Sequence, residues 1–363
     1  LPSTCMNFNN IFLKSFRFLL LPFALLYGLI VIIRNFLYDK DYFKSAQFNF
    51  PLICVGNLSV GGTGKSPMTE YLIRLLYPQF RIAALSRGYK RKTKGYVLAS
   101  DTTTALEIGD EPMQFHLKFP DLAVAVGEER IVAIPQLLHD RPDLQAIILD
   151  DAFQHYEIRA DFNILLTAYG DIYTKDFFLP TGDLRDQPAS AKRADIIIVT
   201  KCPATLTANE RNELVNELEP EKGQQVFFTT SEYGVPYHIL SGEKRNFSGN
   251  EDVLLVSGIA NPAQLKKYVA HKAETYEQMN YSDHHIFRID DLKDIRTKFD
   301  EMDAAEKIML TTEKDAVRLI KFKDELQQMP FYVLPIQHSF LFGDVDKFNH
   351  AVVDFITNFK MKE

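Results

Sequence analysis

The stretch VGNLSVGGTGKSPMTEYLIRLL, residues 55–76, sets a glycine-rich loop directly before Lys65, Ser66 and an apolar-periodic segment. Leu52, Ile53, Cys54 and Val55 before it read as a short buried strand. Strand, glycine loop, Lys-Ser and helix are the parts of a phosphate cradle in their usual order. In such a cradle the loop's N–H groups and the helix N-terminus face an anion, and the lysine adds a point charge. The glycines stand at Gly61, Gly62 and Gly64, while Ser59 takes the place where the general pattern G-x-x-x-x-G-K-[ST] begins with glycine. The expected nucleotide-phosphate contacts are therefore Ser59, Val60, Gly61, Gly62, Thr63, Gly64, Lys65 and Ser66, the Ser66 hydroxyl also facing a metal ion. Pro67 is compatible with a helix start, where its missing N–H is not needed. The plain alternative is a strand-to-helix turn that holds no ligand.

A second signal is AIILDDAFQH, residues 146–155. Asp150 ends an apolar run in the manner of a Walker B carboxylate, which holds Mg2+ directly or through water. Asp151 adjoins it, and Gln154 and His155 follow on the next turn. The segment IGDEPMQFH, residues 108–116, adds Asp110 and Glu111; taken alone it also fits a helix N-cap with favourable first-turn charge. An incoming hydroxyl must lose a proton, and a metal-bound carboxylate is a poor acceptor because the cation favours its ionised form. That leaves Asp110 as a better base than Asp150 or Asp151. The basic stretch LSRGYKRKTKG, residues 85–95, offers Arg87 right after a strand as a ligand for a substrate phosphate, whereas its lysines read equally as a solvated loop. FLPTGDLRDQP supplies Asp183, Arg185 and Asp186, and NYSDHHIF supplies Asp283, His284 and His285. No Cys or third His stands at zinc spacing from that histidine pair. TTEKDAVRL, residues 311–319, reads only as a charged strand-to-helix turn.

These groups need strand ends to hold them. PLICV, FRIAALS (80–86), LAVAVG (122–127), LQAIILDD (144–151), FNILLTA (162–168) and ADIIIVTK (194–201) are continuously apolar, as parallel strands buried on both faces are. Helical stretches over about 68–76 and 129–138 alternate with them. The expected fold is α/β: a doubly wound, mostly parallel sheet with the phosphate loop after an early strand. Near 224–240 the character changes to two β-like runs around Tyr233–Gly234, read as a two-stranded linker. Past it, DVLLVSGIANP, KIMLTTEKDAVRL and MPFYVLPI restart the strand–helix pattern. The expected division is an N-terminal membrane-associated segment over 1–48, a nucleotide-binding core over 49–223, the linker, and a smaller α/β domain over 241–363.

The chain has 363 residues, net charge −7 and 3 Cys at scattered positions (Cys5, Cys54, Cys202). That composition argues against nucleic-acid binding by bulk charge, against a disulfide framework and against a zinc site. Residues 16–38, FRFLLLPFALLYGLIVIIRNFLY, hold an uncharged run from Phe18 to Ile33 between Arg17 and Arg34. The run falls short of the roughly 20 residues of a perpendicular span. With Lys14, Tyr27, Phe36 and Tyr38 as interfacial groups, it reads as a helix in or on a membrane, a buried core helix being the alternative. Met6 is a candidate start residue.

Taken in order, VGNLSVGGTGKSP, LSRGY, GDEP, LDDAFQH, LPTGDLR, SDHH and TTEKDA resemble the tetraacyldisaccharide 4'-kinase family of lipid A biosynthesis, over about residues 18–320. Ala152 and Asp186 stand where glycine and glutamate are usual in that family. The resemblance implies a P-loop-type kinase using ATP and Mg2+ at the cytoplasmic face of a Gram-negative inner membrane. Its acceptor would be the 4'-hydroxyl of a tetraacylated glucosamine disaccharide 1-phosphate. It implies a pairing of Asp110 with His284 once the second domain closes over the site, without saying which of the two takes the proton. Lys65 and Asp151 would complete the catalytic group, Asp186 would join Ser66, Asp150 and Asp151 at the metal, and Arg87, Glu111, Gln154, His155 and Arg185 would contact substrate. No obligate protein partner is implied. The competing reading is a membrane-tethered P-loop ATPase switch.

Overall fold

A computed structural model describes residues 17–360. Cys5, Met6, Lys14 and Phe16 lie outside the described residues. Helix α1 (Leu21–Asp39) continues a short turn at Phe18–Leu20. Strands β1 (Leu52–Asn57), β2 (Ile82–Ser86), β3 (Val97–Leu98), β4 (Ala123–Val126), β5 (Ala146–Asp150), β6 (Phe162–Ala168), β7 (Ile196–Thr200) and β8 (Gln225–Tyr233) follow. Then come β9 (Tyr237–His238), β10 (Asp252–Ser257), β11 (Thr275–Asn280), β12 (Lys307–Thr312), β13 (Phe331–Leu334) and β14 (Ile336–Phe340).

A nine-stranded sheet has the order β14-β8-β7-β6-β1-β5-β2-β4-β3, parallel except for its two edges. Its inner strands are apolar on both faces because both faces are covered. Leu52 and Cys54 of β1 join one core layer, and Ile53 and Val55 join the other. β1 lies between β5 and β6, so the chain after β1 emerges at the switch in strand order, where ligands collect in open α/β sheets. Helix α2 (Lys65–Leu76) starts there, with Gly64 as its cap at φ +87°, and buries Met68, Leu72, Ile73 and Leu76. The helix begins three residues before the sequence reading placed it, because Lys65, Ser66 and Pro67 form its first turn.

A five-stranded sheet has the order β9-β13-β12-β10-β11 and its own core around Leu254, Phe287, Leu292, Phe331 and Val333. The chain path around it differs from the linear expectation. Residues 225–228 pair with β7, and 229–233 pair antiparallel with β14, so both strands of the ribbon belong to the large sheet. The final helix, Val345–Thr357, likewise sets Phe348, Val352 and Ile356 in the large sheet's core. The ribbon is therefore built from residues a hundred positions apart, which local β-like runs cannot reveal.

Helix α1 buries only Ala24, Gly28, Val31 and Asn35, one stripe along its length. Leu19, Phe23, Leu25, Leu26, Leu29, Ile30, Ile32, Ile33 and Phe36 face outward. Residues Phe18–Asp39 are long and apolar enough to cross a membrane. Of the aromatic groups expected at an interface, Tyr27 and Tyr38 turn instead to the protein: the Tyr27 hydroxyl donates to the Arg185 carbonyl at 3.0 Å, and Tyr38 packs on Phe43 and Tyr156.

Candidate active site

Lys65 opens α2, and its ammonium reaches back over the loop to Asn57 Oδ1 at 3.1 Å and to Asp151 Oδ1 at 3.8 Å. Burial lowers the Lys65 pKa, against the pull of Asp151. Asn57, the last residue of β1, is wholly buried and organises the cluster. Its Oδ1 also accepts from Arg185 at 2.6 Å, its carbonyl accepts from Gln154 Nε2, and its own amide donates to the Ser59 carbonyl at 2.7 Å. The outer half of the loop is pinned by the 178–186 segment, where the Val60 N–H donates to the Asp183 carbonyl at 2.7 Å.

Asp150 and Asp151 stand at the C-terminal end of β5 with different roles. Asp150 is buried, and its two oxygens accept from Thr69 Oγ1 at 3.0 Å and Ser86 Oγ at 3.2 Å. Burial, then the charges of Asp151 and Glu111, push its pKa up to about 6. Asp151 sits at φ +49° and is half-exposed, paired with Arg185 through both oxygens. Burial works against its ionisation, but Lys65 and Arg185 outweigh it and hold the carboxyl below the usual range. His155 is pushed down to about 4 by burial and by the charges of Arg130 and Arg87, so its imidazole is neutral at pH 7.

Asp110 begins helix α3 (Asp110–Lys118) and meets the five-stranded unit through helix α4 (Glu313–Leu319). Asp110 Oδ2 lies 2.9 Å from His284 Nδ1 and accepts from Arg318 at 2.6 Å. Burial opposes ionisation of Asp110, yet the Arg318 bond and charge, with His284, hold its carboxyl below the ordinary value. Arg318 also binds Asp315 at 3.2 Å. Glu111, the next residue, pairs with Lys314 at 2.6 Å, and its charge acts on both Asp150 and Lys65. The acidic turn thus adjoins the phosphate-loop cluster on one side and the second unit on the other.

Not every expected residue joins this cluster. Asp186, expected at the metal, is fully buried elsewhere: its Oδ1 accepts from Asn35 of α1 at 2.6 Å and from the Gln187 N–H at 2.8 Å, and Arg193 lies 3.6 Å from Oδ2. Its place beside Arg185 in sequence did not carry it into the site, because the chain bends at these two residues and turns Asp186 toward Asn35 and Arg193. Arg87 is exposed, its charge acting on Arg130 and His155. The sequence reading did not single out Asn57 or Arg318; a polar residue ending an apolar strand was the signal for the first, and the second lies in helix α4, within a stretch that read only as a charged strand-to-helix turn.

Among the described residues no three His, Cys, Asp or Glu side chains converge as a metal set. Mg2+ needs none, since it keeps several waters and takes one or two carboxylates together with phosphate oxygens. Asp150 fits that mode: both its oxygens are fixed, and it carries a surplus of nearby negative charge that a cation relieves. The loop also fits a phosphate chain, with no side chain at Gly61, Gly62 or Gly64 and a buried Thr63 hydroxyl that has no partner among the described residues.

A family model described as tetraacyldisaccharide-1-P 4'-kinase matches residues 16–357. A tetraacyldisaccharide 4'-kinase of Flavobacterium johnsoniae is 46% identical over 344 residues, covering 94% of this chain and 97% of its own. One from Bacteroides thetaiotaomicron is 39% identical, covering 95% and 94%. A crystal structure of LpxK from Aquifex aeolicus in complex with ATP aligns with a TM-score of 0.73 at 30% identity, covering 94% of this chain and 99% of that one.

Proposed function

The chain belongs to the tetraacyldisaccharide-1-P 4'-kinase family, and from that premise we propose that it transfers the terminal phosphate of ATP to the 4'-hydroxyl of a tetraacylated glucosamine disaccharide 1-phosphate. The observation that supports the reading is the Asp110–His284–Arg318 cluster, a candidate proton acceptor beside Glu111, whose charge acts on Lys65 of the phosphate loop. In the transfer the sugar oxygen loses its proton and forms a bond to phosphorus as the bond to ADP breaks. Lys65 and the loop N–H groups stabilise charge on the moving phosphoryl group. Ser66 and Asp150 would hold Mg2+, which neutralises phosphate charge when bound. Asp151 keeps Lys65 and Arg185 in place. Arg87, Glu111, Gln154, His155 and Arg185 form the substrate side of the site. The smaller unit, carrying His284, closes over the core.

A substrate with four acyl chains leaves a bilayer at a cost of about 0.8 kcal/mol per CH2. The enzyme therefore works at the membrane, its outward apolar α1 face lying in the cytoplasmic leaflet of the inner membrane. The test is phosphate transfer from ATP to the disaccharide lipid by wild type and Lys65→Ala. Lipid-dependent product that falls by orders of magnitude in the variant supports the reading. ATP hydrolysis indifferent to lipid would favour an ATPase switch instead.

A further inference from the structure

Two carbonyls of the phosphate loop are held from outside it. The Thr63 carbonyl accepts from Thr200 Oγ1 at 2.8 Å, and the Gly64 carbonyl, which takes the first α2 bond from the Met68 N–H at 3.1 Å, also lies 2.9 Å from His338 Nε2. In a trans peptide the C=O and the following N–H point in opposite directions. Holding the Thr63 and Gly64 carbonyls outward therefore turns the Gly64 and Lys65 N–H groups inward, to the side where an anion sits. Gly64 has φ +87°, and a Cβ there would meet His338 Cε1 at 2.9 Å, so imidazole and loop are in close contact.

His338 lies in mid β14 and is 5% exposed. Its Nδ1 is 3.0 Å from Thr229 Oγ1 on β8, the partner strand of the ribbon. A carbonyl only accepts, so Nε2 carries the proton and Nδ1 accepts from the Thr229 hydroxyl. Burial, with the Lys201 charge adding to it, pushes the imidazole down to about 4, in keeping with a neutral ring holding that one tautomer. Both ring nitrogens are spent on fixing geometry, and none of the proposed chemistry uses them.

We propose that His338 is a positioning residue of the phosphate loop, a second donor that with the Met68 N–H holds the Gly64 carbonyl and so keeps the Lys65 N–H toward the nucleotide polyphosphate, and that ties the loop to the ribbon that returns from the five-stranded unit. This rests on the kinase reading for the ligand's identity. His338→Gln keeps a donor near Nε2, His338→Asn places its amide only near Nδ1, and His338→Phe keeps the volume without a donor. The measurements are Mg-ATP affinity by titration, KM for ATP and for lipid, kcat, and the thermal midpoint without nucleotide. His338→Phe is expected to weaken ATP binding and raise KM for ATP about fivefold to tenfold with KM for lipid unchanged. His338→Asn should behave like it, and His338→Gln should return to within about threefold of wild type. Wild-type ATP affinity in His338→Phe, or no recovery in His338→Gln, overturns the proposal. Should His338→Phe fail to fold, the Gln-against-Asn contrast decides. A wild-type enzyme that binds no Mg-ATP would overturn the kinase reading itself, whereas wild-type binding shared equally by all variants overturns this proposal alone.

Discussion

Asp110 receives two donors on one oxygen, and that shapes its chemistry. A carboxylate held below its ordinary pKa by a guanidinium is a weak base but a good orienting partner. With Nδ1 turned to Asp110, we propose that His284 takes the proton at Nε2 and that Asp110 stabilises the resulting imidazolium. Asp110→Asn and His284→Ala should each lower kcat by about 10²–10⁴-fold, with ATP affinity nearly unchanged. The double variant should be no slower than the worse single one, since residues acting as a unit are non-additive; losses that multiply would separate the pair. Asp150 makes a second prediction at this scale. Its folded pKa of about 6 is above the unfolded value, so its contribution to stability is full below about pH 4 and is lost as pH rises through 6. Metal-free protein should lose up to about 3 kcal/mol across that window relative to Asp150→Asn, measured by denaturant unfolding at several pH values. Mg2+ favours the ionised form, so added Mg-ATP should remove the loss.

Helix α1 is joined to the 178–186 segment along its length: Arg17 pairs with Asp183 at 2.7 Å, Gly28 lets the Phe178 ring against the helix backbone, and Asn35 holds Asp186. The same segment carries Arg185 into the site and pins Val60 of the loop. The apolar helix is thus coupled by contact to the catalytic cluster. Asn35→Ala leaves one oxygen of a buried carboxylate without its amide donor, and should lower stability by about 1–3 kcal/mol in thermal unfolding. An unchanged midpoint would mean that α1 is not docked this way. Removing residues 17–39 should move the enzyme to the soluble fraction and depress use of lipid presented in vesicles far more than ATP binding.

The two sheets meet through a polar network beside a small apolar contact, where Val317 of α4 packs with Ile108, Met113 and Val126. Lys118 of α3 lies between Glu70 of α2, at 2.7 Å, and Glu313 of α4, all three mostly buried, and Gln114 adds a 3.0 Å bond to Glu70. One cation thus ties together the helix behind the phosphate loop, the helix that begins with Asp110, and the helix that carries Arg318. Removing a single partner from a buried charge cluster leaves the others uncompensated. Lys118→Met should cost about 3–5 kcal/mol in urea unfolding, and Lys118→Met with Glu313→Gln should recover part of it. If the double variant is as unstable as the single, the carboxylates are not the source of the loss.

The phosphate loop, the aspartate pair after β5, the continuously buried strands and the apolar N-terminal run were legible in the sequence because each is local: a few residues of fixed spacing suffice to define it. The pairing of Asp110 with His284 was legible only through resemblance, since the two lie 174 positions apart and meet across the contact between two sheets. Arg318 and His338 were not legible at all. Each stands in a segment whose local pattern is ordinary, and each acquires its role when β-sheet order and helix packing bring it to a carboxylate or a carbonyl far along the chain. Asp186 shows the converse: the resemblance implied a metal ligand, whereas the segment's backbone turns it to Asn35 and the N-terminal helix. The chemistry of a side chain and the element that carries it are set by neighbours in sequence; which two side chains share a proton or a charge is set by which elements share an interface, and that depends on burying the whole apolar surface at once.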